Sequence, residues 1–119
     1  MNPNAKKALA DWIDEAAITV HRIEAEAEAL LQGSRGQAGY VEKMREKALF
    51  LSELADEGRE LAAGWPEVIE RLELFSKSAA TSLSVGSVFF MSALLYPEDH
   101  VSGQGNNLDA LVKMVKDAS

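Results

Sequence analysis

The chain contains no cysteine, which excludes disulfides, zinc–thiolate centres and cysteine nucleophiles. Histidine is nearly as scarce, with 2 in 119 residues, His21 and His100. A di-iron bundle needs Glu-x-x-His on two helices plus two further glutamates. The residue three before His21 is Ile18, so that motif is absent. His100 stands beside Glu98 and Asp99, a group able to attract a divalent ion, although a lone histidine near carboxylates is ordinarily just solvated. Positive charge is also short. Lys and Arg number 12 against 19 Asp and Glu, a net charge of -7 that opposes binding to phosphate backbones. The densest basic cluster, Lys43, Arg45 and Lys47, is interrupted by Glu42 and Glu46.

Several other signatures are missing. The start, MNPNAKKALADW, has lysines but no apolar core, so it does not read as a secretory signal, and the expected compartment is the cytoplasm. Gly103-Gln104-Gly105 precedes a helix start but lacks the lysine and the preceding strand of a phosphate loop. Carboxylates fall on the outer faces of helices, where acid–base work finds no dry pocket. Ser84 and Ser87 have no histidine near them in sequence. The expectation is a non-enzymatic chain with no catalytic residue, no metal, no cofactor and no nucleic-acid partner.

What the chain does have is helical periodicity. Asn2 caps a helix with Pro3 at its first position. From there Leu9, Ile13, Ala16, Val20, Ile23, Ala27 and Leu30 recur in alternating steps of four and three, a heptad seam. Trp12 and Leu31 widen the stripe, and Asp11, Asp14, Glu15, Glu24, Glu26 and Glu28 are placed on the outer face. The alternating EAEAEA run at 24–29 is helical, because Glu and Ala form strands poorly. Gly33 suits a left-handed position after this helix, and Ser34 with Gln37 fits a capping box for the next. So short a connection makes the first two helices antiparallel neighbours.

The second helix is predicted from about Gln37 to Ala63, with a seam of Val41, Met44, Ala48, Leu51, Ala55, Gly58 and Ala62. Gly58 weakens a helix by about 1 kcal/mol against Ala, so close packing is the expected reason for it. Phe50 lies off the seam, free to reach a third element or a partner. Gly64 caps this helix, Trp65 plugs the end of the bundle, and Pro66 opens the third helix. Val68, Leu72 and Phe75 then face inward.

That helix runs into SAATSLSVGSVFFMSALLYP, uncharged between Lys77 and Glu98. Continuous to Tyr96 it would be about 45 Å long, with a bend expected near Ser76–Ser82, where hydroxyls bond back to the backbone. Ser78, Ser82 and Gly86 recur every fourth residue and offer a face for close helix approach. Pro97 ends the helix, and 98–105 form the longest loop. Asn106 with Asp109 then begins a short last helix, carrying Leu108, Leu111, Val112 and Val115 inward.

The expected architecture is a single all-α domain over 1–119, an antiparallel helical bundle of three long helices and a short C-terminal one. The expected function is that of a small adaptor or regulatory module that self-associates or binds a helix of another protein. Its interface candidates are Phe50, Ser82, Gly86, Phe89, Phe90, Leu94 and Tyr96, because excess apolar surface marks an interface. Glu98, Asp99 and His100 are candidates for recognition by the loop. Two alternatives remain. One is an acidic inhibitor or immunity-type protein that covers a basic toxin or enzyme. The other, disfavoured for want of flanking basic clusters and aromatic belts, is a membrane-associated protein using 78–96.

Overall fold

In the computed structural model, which describes residues 3–34, 36–96 and 105–118, the chain is helical, with no strand among the described residues. Helix α1 spans Pro3–Leu31, α2 Gly36–Gly58, α3 Pro66–Val85, α4 Val88–Ala93 and α5 Asn107–Asp117. The three long helices hold 29, 23 and 20 residues, and α5 holds 11. The expected all-α bundle is therefore present.

Helix α2 is central. Its antiparallel run beside α1 follows from the contacts: Glu26 meets Lys43 at 2.9 Å, Glu24 meets Lys47 at 2.8 Å, and Trp12 covers Gly58. It lies antiparallel to α3 as well, where Gly58 faces Leu72 while Leu51 and Ala55 both bond Ser76. Helix α5 returns along α1. His21 meets Asp109 near its start, and the Lys6 ammonium donates to the Ala118 carbonyl just past its end.

The heptad seams form the core. In α1, Leu9, Ile13, Ala16, Val20, Ile23 and Ala27 are buried, while Leu30 at the end is half-buried. In α2, Met44, Ala48, Leu51, Ala55 and Gly58 are buried, as is Ala62 beyond the helix; Val41 is half-buried. Small residues let α2 and α3 approach closely, and one polar contact pins them. Ser76 Oγ donates to the Leu51 carbonyl at 2.7 Å and accepts from the Ala55 N–H at 2.9 Å. An α3 hydroxyl thus bridges an i, i-4 backbone pair of α2, fixing the register of the two helices. Gly58 is explained by close approach, since a Cβ there would overlap the Trp12 ring.

Four local expectations change. Helix α2 stops at Gly58 rather than near Ala63, and 59–64 form turns, with the Ala62 N–H still donating to the Gly58 carbonyl at 2.9 Å. Gly64 therefore caps no helix end. The glycine with a left-handed φ at this connection is Gly36, the first residue of α2, at φ 52°, and not Gly33. Residue 35, just before α2, and Asn2, before α1, lie outside the described residues. Leu31 is exposed rather than part of the α1 stripe.

The fourth change matters most. The third helix is not continuous to Tyr96 and does not break within 76–82; it ends at Val85. Gly86 takes the left-handed conformation at φ 67°, closing the helix with its N–H on the Leu83 and Ser82 carbonyls. Ser87 then caps α4, its side chain accepting from the Phe90 N–H at 3.1 Å. A glycine that permits left-handed backbone followed by a capping serine is a stop and a restart. Gly86 thus serves a turn rather than close helix packing, and nothing lies within 4 Å of where its Cβ would be. The break also splits the uncharged stretch, and no helix of the described residues is long and apolar enough to cross a membrane.

The capping box expected for the last helix is formed. Asn106 Oδ1 accepts from the Asp109 N–H at 3.0 Å, and Asp109 Oδ2 accepts from the Asn106 N–H at 2.8 Å.

Candidate functional site

Because the chain turns at Gly86–Ser87, α4 folds back beside α3 and against α2, and a groove opens between α3 and α4. Its volume is about 550 Å³. Buried Leu51, Phe75, Ser82, Leu94 and Leu95 line its inner side, and Leu74, Thr81, Phe90 and Tyr96 line its margins. Lys77 is the one charged residue among the described lining residues. Phe90 is 53% exposed, and Phe89 beside it is 75% exposed, with ring centroids 6.1 Å apart. Leu74 and Val85 on α3 are also open to solvent.

A helix of 6 residues cannot hold itself, so the position of α4 depends on what it is tied to. Met91 and Leu94 are buried against the core. A polar network then fixes its end. Lys47 of α2 is fully buried. Its Nζ donates to Glu24 Oε2 of α1 at 2.8 Å and to the Ser92 carbonyl of α4 at 3.2 Å. It also lies 5.1 Å from the centroid of the Tyr96 ring, in cation–π range. The Tyr96 hydroxyl donates to Glu24 Oε1 at 2.6 Å.

One carboxylate thus takes a buried ammonium on one oxygen and a phenol on the other. Burial pushes the Lys47 ammonium below the usual lysine range, and the charge of Glu24 offsets part of that. Burial, reinforced by the bond to Glu24, raises the Tyr96 phenol well above its usual range, with the Asn106 amide opposing.

The turn that delivers Tyr96 is strained. Leu95 sits at φ 74°, a conformation that costs a branched side chain of order 1 kcal/mol or more. Its buried side chain and the bond from the Asn107 N–H to its carbonyl, 2.9 Å, hold it there. Next to this, His21 Nε2 lies 2.8 Å from Asp109 Oδ2, and its Nδ1 lies 3.7 Å from Glu24 Oε1. The network therefore links α1, α2, α4 and the cap of α5.

The structure gathers some of the expected interface residues and separates others. Ser82, Phe90, Leu94 and Tyr96 line the groove and Phe89 flanks it, while Gly86 forms the turn that creates it. Ser82 and Leu94 are buried, and Tyr96 is half-buried and committed to Glu24, so Phe89 and Phe90 are the accessible members. Phe50 lines a different cleft with Trp12 and Leu54. Glu98, Asp99 and His100 lie outside the described residues.

Sequence reasoning missed Leu74 and Leu95, and above all Glu24 and Lys47, which it had assigned to solvent and to an interrupted basic patch. The spacing carried a signal. Lys47 is three residues after Met44 and four before Leu51, on the inward face of α2. With Lys47 buried and Lys43 paired to Glu26 and Glu46, no basic strip remains there. Among the described residues, no group of three His, Cys, Asp or Glu side chains is placed to hold a metal ion.

The groove and its network thus belong to an all-α bundle. No family model, no curated protein and no solved structure matches the chain.

Proposed function

We propose that this chain is a small non-enzymatic interaction module, an adaptor or regulatory bundle that self-associates or receives a helical partner through the α3–α4 groove. One observation carries the reading: an apolar groove of about 550 Å³ edged by two phenylalanines more than half exposed. An exposed aromatic beside an apolar groove is the composition of an interface centre, where aromatic anchors enter pockets. The network behind α4 supports it, because a docking wall must be held in place before the partner arrives. The cytoplasm is the compartment of this proposal.

The test is a photoreactive side chain at position 90, with position 18 as control, in living host cells. Ile18 is 60% exposed on α1 and does not line the groove. Adducts from position 90 and none from position 18 are the expected result. Equal adducts from both, or none from position 90, would remove the groove as the docking surface.

A second reading has its own support. Exposed Glu53, Asp56, Glu57 and Glu60 follow one another along and just beyond α2, and the net charge is -7. An acidic inhibitor of a basic enzyme would use that region, and its association would slow steeply as salt is raised. Adducts confined to α2, with strong salt dependence, would favour it.

A further inference from the structure

Resting on the reading of the α3–α4 groove as a docking surface, we propose that its occupant is a second copy of this chain, paired about a two-fold axis. Three features of the patch point to a self-complementary contact. First, it holds both halves of one. Phe89, 75% exposed, stands immediately beside a groove of about 550 Å³ that its own ring does not line. In a two-fold pair the same patch meets itself, so a knob and a hole side by side are satisfied at once, each Phe89 entering the partner's groove.

Second, charge selects the surface. Two chains of net charge -7 repel, and they approach at least cost where carboxylates are absent. The run from Ser78 to Tyr96 carries no charge, and Lys77 is the one charged residue among the described lining residues. A basic partner finds no carboxylate there to pair with.

Third, exposed apolar area is concentrated at this patch. Phe89 and Phe90 with exposed Leu74 and Val85 offer on the order of 400 Å² of apolar surface, by the usual areas of such side chains. That is about half of the ~800 Å² per partner in a standard interface, and the polar residues Ser78 and Thr81 of the groove lining adjoin it.

The experiment is gel filtration with light scattering on the wild type, Phe89→Asp, Phe90→Asp and Ile18→Asp, from about 1 μM to about 1 mM, the range over which modest dimers dissociate. Circular dichroism of each variant shows that it is folded. The expected wild-type mass is twice 12.9 kDa. Phe89→Asp and Phe90→Asp weaken association at least about tenfold, as for the loss of a central aromatic anchor, and Ile18→Asp leaves it unchanged.

A wild type that stays monomeric throughout overturns the second-copy proposal. If position 90 still gives cellular adducts in that case, the groove is a docking surface for another protein. A dimer that survives both Phe substitutions uses another face and overturns the second-copy proposal, and absence of adducts at position 90 is the result that removes the groove reading.

Discussion

Lys47→Met tests the polar network that holds α4. Methionine keeps an unbranched stem of similar length, so the packing of the side chain is largely preserved and the cation alone is deleted. Two acceptors then change state. The Ser92 carbonyl loses its 3.2 Å donor, and Glu24 loses its 2.8 Å ammonium while keeping the Tyr96 hydroxyl at 2.6 Å. Breaking a fully buried pair costs about 3–5 kcal/mol, because the remaining charge is stranded. The Glu24 side chain is 20% exposed and retains one donor, so the expected cost is lower, about 2–3 kcal/mol. In a domain of this size that lowers Tm by roughly 10 °C.

Urea denaturation followed by circular dichroism gives the number. Adding Glu24→Gln removes the stranded carboxylate, so Lys47→Met with Glu24→Gln recovers about 1 kcal/mol relative to the additive sum. A Lys47→Met variant within about 0.5 kcal/mol of the wild type, or strictly additive losses, would refute the network as the tether of α4.

Three further substitutions probe other elements. Gly58→Ala places a methyl group against the Trp12 ring. Overpacking of about 1–3 kcal/mol outweighs the gain of about 1 kcal/mol in helix propensity, so the variant is destabilised in the wild type and neutral or stabilised beside Trp12→Ala in urea melts. Gly86→Ala costs about 1–2 kcal/mol, because its φ of 67° is left-handed. Gly64→Ala, where φ is not left-handed and no neighbour is within 4 Å, costs nothing, and equal thermal shifts for the two would contradict the turn at Gly86.

Tyr96→Phe loses a hydrogen bond to a charged group, about 1.5–3 kcal/mol at neutral pH. The folded phenol holds its proton beyond the usual tyrosine value of about 10, whereas the unfolded one does not. The wild-type advantage is therefore full below pH ~10 and shrinks above it. Urea midpoints at pH 7–11 that keep a constant gap would count against the Tyr96–Glu24 bond.

How much of this was legible depends on what kind of signal each residue leaves. The alternating steps of α1 placed its core seam, and the same stepping placed Met44 to Gly58 in α2. Asn106 and Asp109 announced the last helix through a local, side-chain-to-backbone motif. Periodicity reports which residues share a face, however, and not what that face meets. Lys47 lies on the inward face by spacing, but its ammonium is tolerable there only because Glu24 from α1 and the Ser92 carbonyl from α4 converge on it, a tertiary fact. Gly86 was read as the third member of a small-residue stripe because it is four residues after Ser82. Ser87 next to it was the cue for a stop and a restart, and that cue was weaker than the long apolar run around it. The left-handed Leu95 leaves no local signal, since leucine is not a residue that seeks that conformation.

Backbone amide NMR across a dilution series tests the central claim, that the α3–α4 groove is the surface through which this bundle associates, most directly. Concentration-dependent shifts confined to residues 74–95, and abolished by Phe89→Asp, are the predicted result. Shifts centred on the acidic part of α2 or the outer face of α1, with 74–95 unmoved, would contradict it.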